Sequence, residues 1–122
     1  MSGRQILWLF FGFSGRVSRA AYFLAGLLLV VLQMFFLYRF ALAPQESPAS
    51  ETWALGFWVI LLVSMWSYVA LGVKRLHDFG KPGIFALSLF IPVVSIIAFI
   101  LFCIYPGDEG ANQYGTRTNA ER

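Results

Sequence analysis

The 122-residue chain has one cysteine and one histidine. Cys103 has no partner for an intrachain disulfide. With His77 as the lone histidine, no CxxC pair or Cys/His zinc set can be assembled. Inside an apolar run, Cys103 has the ordinary role of a small buried hydrophobe. Charge is equally scarce: 12% of residues are charged and 59% are hydrophobic, whereas an average soluble domain is about 25% charged. A short chain leaves much of its surface in solvent, and so few charges cannot coat that surface in water. Although the net charge is +3, there is no Lys/Arg-rich run of about five to eight residues, so nucleic-acid binding has no support. P-loop, GxGxxG, HExxH, nucleophile-elbow and paired-carboxylate motifs are all missing. No cofactor or metal is expected, and an enzyme has no positive support.

What the chain has in quantity is uninterrupted apolar sequence. A membrane-spanning helix needs about 20 mostly apolar residues, and three stretches qualify: 20–41, 53–73 and 84–105. The expected fold class is therefore an all-α integral membrane protein with three transmembrane helices, preceded by an interfacial segment and followed by a polar tail, 106–122. The whole chain forms one membrane domain. Residues 6–13 are aromatic and apolar but too short for a signal sequence, and no A-x-A-like site follows. They suit the headgroup boundary, which leaves the first span as an uncleaved insertion signal.

Between the first two spans, residues 43–51 hold Pro44 and Pro48 and no lysine or arginine. Between the second and third, Gly80 is placed for a left-handed cap, and Pro82 stops further helix. Arg4, Arg16 and Arg19 precede the first span; Lys74, Arg75 and Lys81 follow the second; the first loop has only Arg39 at its border. The positive-inside rule puts the N-terminus and second loop in the cytoplasm, and three full spans then put the tail outside. Pro92 lies about two turns into the third segment. It either kinks an intact span or breaks it into a re-entrant hairpin that returns the tail to the cytoplasm and needs protein to shelter its backbone. Three full spans is the expectation carried forward.

Three patches lie around these spans. The first is Phe13-Ser14-Gly15-Arg16-Val17-Ser18-Arg19 with Tyr22 and Phe23. The second is Lys74-Arg75-Leu76-His77-Asp78-Phe79-Gly80-Lys81. The third is Pro106-Gly107 followed by Gly110, Asn112, Tyr114 and Gly115. In order and spacing they resemble the DUF805 family of small bacterial inner-membrane proteins. The resemblance covers nearly the whole chain and implies this fold and location; it carries no defined activity. The chain departs from the family pattern in having Ala21 at a commonly acidic position, Pro82-Gly83-Ile84-Phe85 where Ser-Gly-Trp-Trp is common, and Gln113 where a basic residue is frequent.

Candidate site residues cluster at one membrane face: Arg16, Arg19, Lys74, Arg75, His77, Asp78 and Lys81. Asp78 is the acid within this basic group, spaced to pair with Lys74 at i,i+4 and suited to lock Arg16 or Arg75. Two roles follow: a structural clamp between the first helix and the second loop, or a site for anionic headgroups, which basic residues at the cytoplasmic face attract. His77 adjoins Asp78, but neighbours i and i+1 do not face each other on a helix, so a His-Asp relay is not automatic. Within the spans, Gln33 is expected to find a partner among Ser64, Ser67, Ser88 and Ser95, as packing glue or as the lining of a polar path. Ala21, Ala25 and Gly26 permit close helix contact. In the tail, Gly110, Asn112, Tyr114 and Gly115 suggest a defined turn, and residues 116–122 suggest disorder.

Three functions suit these features. The first is an accessory or structural membrane protein whose basic junction contacts anionic lipid or a partner protein. The second is an oligomeric channel or transporter subunit, since three helices bury little and favour homo-oligomers. The third is a lipid-modifying enzyme using His77 and Asp78.

Overall fold

The computed structural model describes residues 3–120, and they form four α-helices and one 3-10 helix. Helix α1 is Gly3–Phe11, α2 Arg19–Leu42, α3 Pro48–Asp78 and α4 Pro92–Ile104; the 3-10 helix, Gly83–Phe90, lies between α3 and α4.

Helices α2 and α3 are long and apolar enough to cross a membrane. At about 1.5 Å per residue they extend roughly 36 and 46 Å, against a hydrocarbon core of about 30 Å. Each begins at a serine cap: the Ser18 hydroxyl accepts from the Ala21 N–H and the Ser47 hydroxyl from the Ser50 N–H, satisfying donors that the first turn leaves unpaired. Pro48 follows Ser47 at the first helical position, where its missing N–H costs nothing. The end of α3 is a Schellman motif, with Gly80 N–H bonded to the His77 carbonyl and Lys81 N–H to that of Leu76. It requires the left-handed backbone of Gly80, φ 72°.

The third expected span, 84–105, is not one helix. Pro92 has no N–H to give, and Ile91 before it is extended at φ −95°, ψ 116°. The 3-10 helix and α4, at about 16 and 20 Å, are each too short to cross. They form a hairpin that leaves the end of α3 and comes back to it. Gly72 provides the seat: a Cβ there would lie 3.1 Å from Leu89 Cδ1 and 3.4 Å from Ala86 Cβ. Three full spans is therefore corrected to two long helices plus a hairpin. The tail, expected at the opposite face, lies at the same end of the molecule as Arg16 and Asp78.

Burial follows this arrangement. The buried residues of α2 lie in its first half (Tyr22, Ala25, Gly26 and Leu29), and those of α3 run from Ser64 to Asp78. The core gathers these with Trp8, Val17, Ala86 and Phe102. Beyond it the two long helices contact each other through Phe36 and Trp53, whose ring centroids are 5.8 Å apart, and present exposed apolar side chains, as lipid-facing helices do.

Candidate functional site

The junction forms where four segments meet: the turn before α2, the end of α3, the end of α4 and the tail. The last turns of α3 carry Lys74, Arg75 and Asp78. Gly15, at φ 90°, turns the chain between α1 and α2 and brings Arg16 against α3. Asp78 then bridges two guanidiniums. Its Oδ1 lies 3.0 Å from Arg16 Nε and its Oδ2 2.8 Å from Arg75 Nη1. Arg16, Arg75 and Asp78 are 1%, 0% and 3% exposed, so all three are buried.

One carboxylate cannot neutralise two guanidiniums, and the balance comes from backbone dipoles. Arg16 donates through Nη1 to the carbonyls of Gly110 (2.7 Å) and Gly115 (3.3 Å), and through Nη2 to that of Asp108 (2.7 Å). Arg75 donates through Nε to Phe102 O (2.7 Å), through Nη1 to Val17 O (3.3 Å) and through Nη2 to Tyr105 O. Arg19 Nη1 reaches Ile104 O at 3.0 Å. Arg75 and Arg19 thus cap the last carbonyls of α4, where an α-helix has unpaired acceptors and partial negative charge.

The tail is fitted to the same centre. Asp108 N–H donates to the Asp78 carbonyl at 2.7 Å. A Cβ on Gly107 would lie 1.8 Å from Asp78 Oδ2, so only glycine permits this approach. Asn112 donates to His77 O (2.8 Å) and to Asp108 Oδ2 (2.9 Å) and pairs through its backbone with Gly115. Tyr114 stacks flat on the His77 ring, centroids 3.9 Å apart. Residues 116–120, expected to be disordered, instead close the junction: Asn119 N–H donates to Arg16 O at 2.7 Å, and Arg16 N–H to Ala120 O at 3.3 Å. The remainder of that stretch lies outside the described residues.

Arg16, Arg75, Asp78 and His77 therefore gather with Gly110, Asn112, Tyr114 and Gly115. Lys74 turns to α1 instead. Its ammonium donates to the carbonyls of Trp8 and Leu9 and lies 4.5 Å from the Trp8 ring centroid. Arg19 and Lys81 stay exposed on the rim. Both Asp78 oxygens sit on guanidiniums, while His77 Nδ1 faces the Gly15 carbonyl at 3.1 Å, so the two side chains do not form a relay. Trp8, Val17, Gly107 and Asp108 were not among the candidate site residues, although Val17 and Gly107 lie in the patches that carry the family resemblance.

The polar residues expected within the spans disperse. Gln33 Nε2 donates to Tyr68 OH at 3.2 Å, a partner outside the expected serines. Ser64 and Ser67 are buried on α3, with hydroxyls that have no hydrogen-bond partner. Ser95 donates to Pro92 O at 2.8 Å. Ser95 lines a cleft of about 580 Å³ between α2, α3 and the hairpin. Ser88 lines another, of about 480 Å³, between the 3-10 helix and α4.

The chain matches the family model of DUF805, protein of unknown function, over residues 10–116. It belongs to the DUF805 family. It is similar to inner membrane protein YhaI of Escherichia coli K12, 27% identical over 111 residues that cover 91% of this chain and 89% of the relative. The protein of the same name from Escherichia coli O157:H7 matches with the same identity and coverage. No solved structure matches. Ala21 packs against the core.

Proposed function

We propose that this DUF805 protein is an accessory membrane protein of the bacterial inner membrane, with the Arg16 end in the cytoplasm. The buried junction is its internal latch, and the exposed rim cations Arg19 and Lys81 contact anionic headgroups. One observation carries this reading: the basic residues at this end divide into two sets. Arg16 and Arg75 are buried on Asp78 and on carbonyls of the hairpin and tail, and Lys74 is buried on carbonyls of α1. Arg19 and Lys81 remain exposed where α2 begins and just past the end of α3, as does Arg117 in the tail. Basic side chains at a cytoplasmic surface attract anionic lipid by about 1 kcal/mol each. The similarity to an inner membrane protein and the two long apolar helices support the location.

The test is boundary-lipid selectivity of the reconstituted protein, read with spin-labelled phosphatidylglycerol and phosphatidylcholine. The expected result is enrichment of phosphatidylglycerol that falls when Arg19→Gln and Lys81→Gln are combined. Equal association of the two lipids would contradict the reading. A discrete homo-oligomer that conducts ions in vesicles would replace it with the channel.

A further inference from the structure

The cleft between the 3-10 helix and α4 has a chemistry distinct from the rest of the lipid-facing surface. In a 3-10 helix, side chains at i and i+3 eclipse, so Phe85 and Ser88 form one wall. Val94, Ala98 and Leu101 of α4 line the cleft with them, and the small Ser88 and Ala98 leave the space between. From Val94 to Tyr105 the α4 wall rises about 16 Å, close to half of the roughly 30 Å hydrocarbon core. The cleft is thus about one leaflet deep. Its volume, about 480 Å³, falls within the roughly 300–1,000 Å³ of small-molecule sites.

Lys81 supplies the one charged side chain of the lining. It sits at the end of the cleft nearest the α3 terminus, beside Phe79 and Tyr105, whose rings meet at 5.1 Å. Among the described residues the direct ion pairs are those of Asp78 with Arg16 and Arg75; Lys81 makes none, and the nearby Asp108 carboxylate lies against Gly80 and accepts from Asn112. The negative end of α4 is already occupied by Arg75 and Arg19. The larger cleft has no charged lining residue.

We propose that this cleft holds one acyl chain of an anionic phospholipid from the inner leaflet, with its phosphate on the Lys81 ammonium. The inference rests on the headgroup reading above and narrows it to one lipid in one groove. An aliphatic chain matches the lining, and an interfacial cation above a leaflet-deep slot selects a charged headgroup over a zwitterionic one.

The test is native mass spectrometry of the full chain extracted from vesicles of equal phosphatidylglycerol and phosphatidylcholine. One retained phospholipid per chain is expected, with about fivefold preference for phosphatidylglycerol from a single interfacial charge. Lys81→Gln is expected to keep the lipid but abolish the preference. Val94→Trp, which fills the slot at a side chain already 41% exposed, is expected to lose the lipid with Lys81 intact. Arg39→Gln, an exposed cation at the far end of α2, is expected to change neither, and thermal midpoints equal to the parent show that each variant is folded. No retained lipid, retention by Val94→Trp, unchanged preference in Lys81→Gln, or a protein segment in place of lipid would each overturn the proposal. If boundary selectivity persists while retention fails, the groove alone is wrong; if both vanish, the headgroup reading goes with it.

Discussion

Replacing Asp78 with asparagine removes the one carboxylate between two buried guanidiniums. The variant keeps a carbonyl acceptor for one arginine but turns an amide N–H₂ toward the other, so a donor faces a donor. Breaking a buried ion pair by removing one partner costs about 3–5 kcal/mol, because the remaining charge is desolvated and unpaired. Two cations lose their counter-charge here, which argues for the upper end of that range. Each arginine also keeps three carbonyl acceptors, which argues for the lower. About 3 kcal/mol follows, a fall in thermal midpoint on the order of 10 °C for a domain of this size. The assay is thermal unfolding in detergent of Asp78→Asn, Arg16→Gln and the double variant. A double-mutant cycle isolates the pair, and a coupling of about 2 kcal/mol is expected. A midpoint for Asp78→Asn within about 2 °C of the parent, or additive single variants, would refute the argument that the junction latches the fold.

Gly107→Ala places a methyl group 1.8 Å from Asp78 Oδ2, so the tail must lift; we expect a loss of about 2 kcal/mol and faster proteolysis after residue 106, and parent-like cleavage would count against the close fit. Tyr114→Ala removes the stack on His77 at a cost of about 1 kcal/mol, with tail cleavage accelerated and the midpoint of the helical core little changed; equal cleavage rates would show that the stack does not hold the tail. Gln33→Leu deletes a single bond to Tyr68, and interhelical hydrogen bonds in membranes average about 0.6 kcal/mol. A midpoint shift of only a few degrees is expected, and a collapse comparable to Asp78→Asn would assign Gln33 a larger role.

The two long helices were legible because length and unbroken hydropathy dominate where every backbone bond must close within the helix. The turn after α3 was legible for a local reason, since Gly80 before Pro82 specifies a left-handed cap. The third segment was not, because hydropathy treats Ile84 to Tyr105 as continuous. What decides its course is the missing Pro92 N–H together with the seat opened by Gly72, more than ten residues upstream. The end of the molecule at which the tail packs was not legible for the same reason: it depends on the course of that segment. Arg16, Lys74 and Arg75 gather at one end of the molecule, but nothing in the sequence told that the three are buried there. The arginines reach acceptors in Phe102, Tyr105, Asp108 and Gly110, backbone carbonyls that leave no trace in side-chain patterning. Tyr68 escaped notice as the partner of Gln33 because, in an apolar run, its ring conceals its hydroxyl.

The account stands on the hairpin returning the tail to the Arg16 end. The direct measurement is labelling with a membrane-impermeant maleimide, in sealed right-side-out and inverted vesicles, of Ser14→Cys, Gln45→Cys and Gln113→Cys, each in a Cys103→Ser background. Gln113→Cys labelling from the same side as Ser14→Cys, and opposite to Gln45→Cys, is the predicted result. Labelling of Gln113→Cys together with Gln45→Cys would mean that the third segment crosses the membrane, and the latch built from Arg16, Arg75 and Asp78 against the tail could not form.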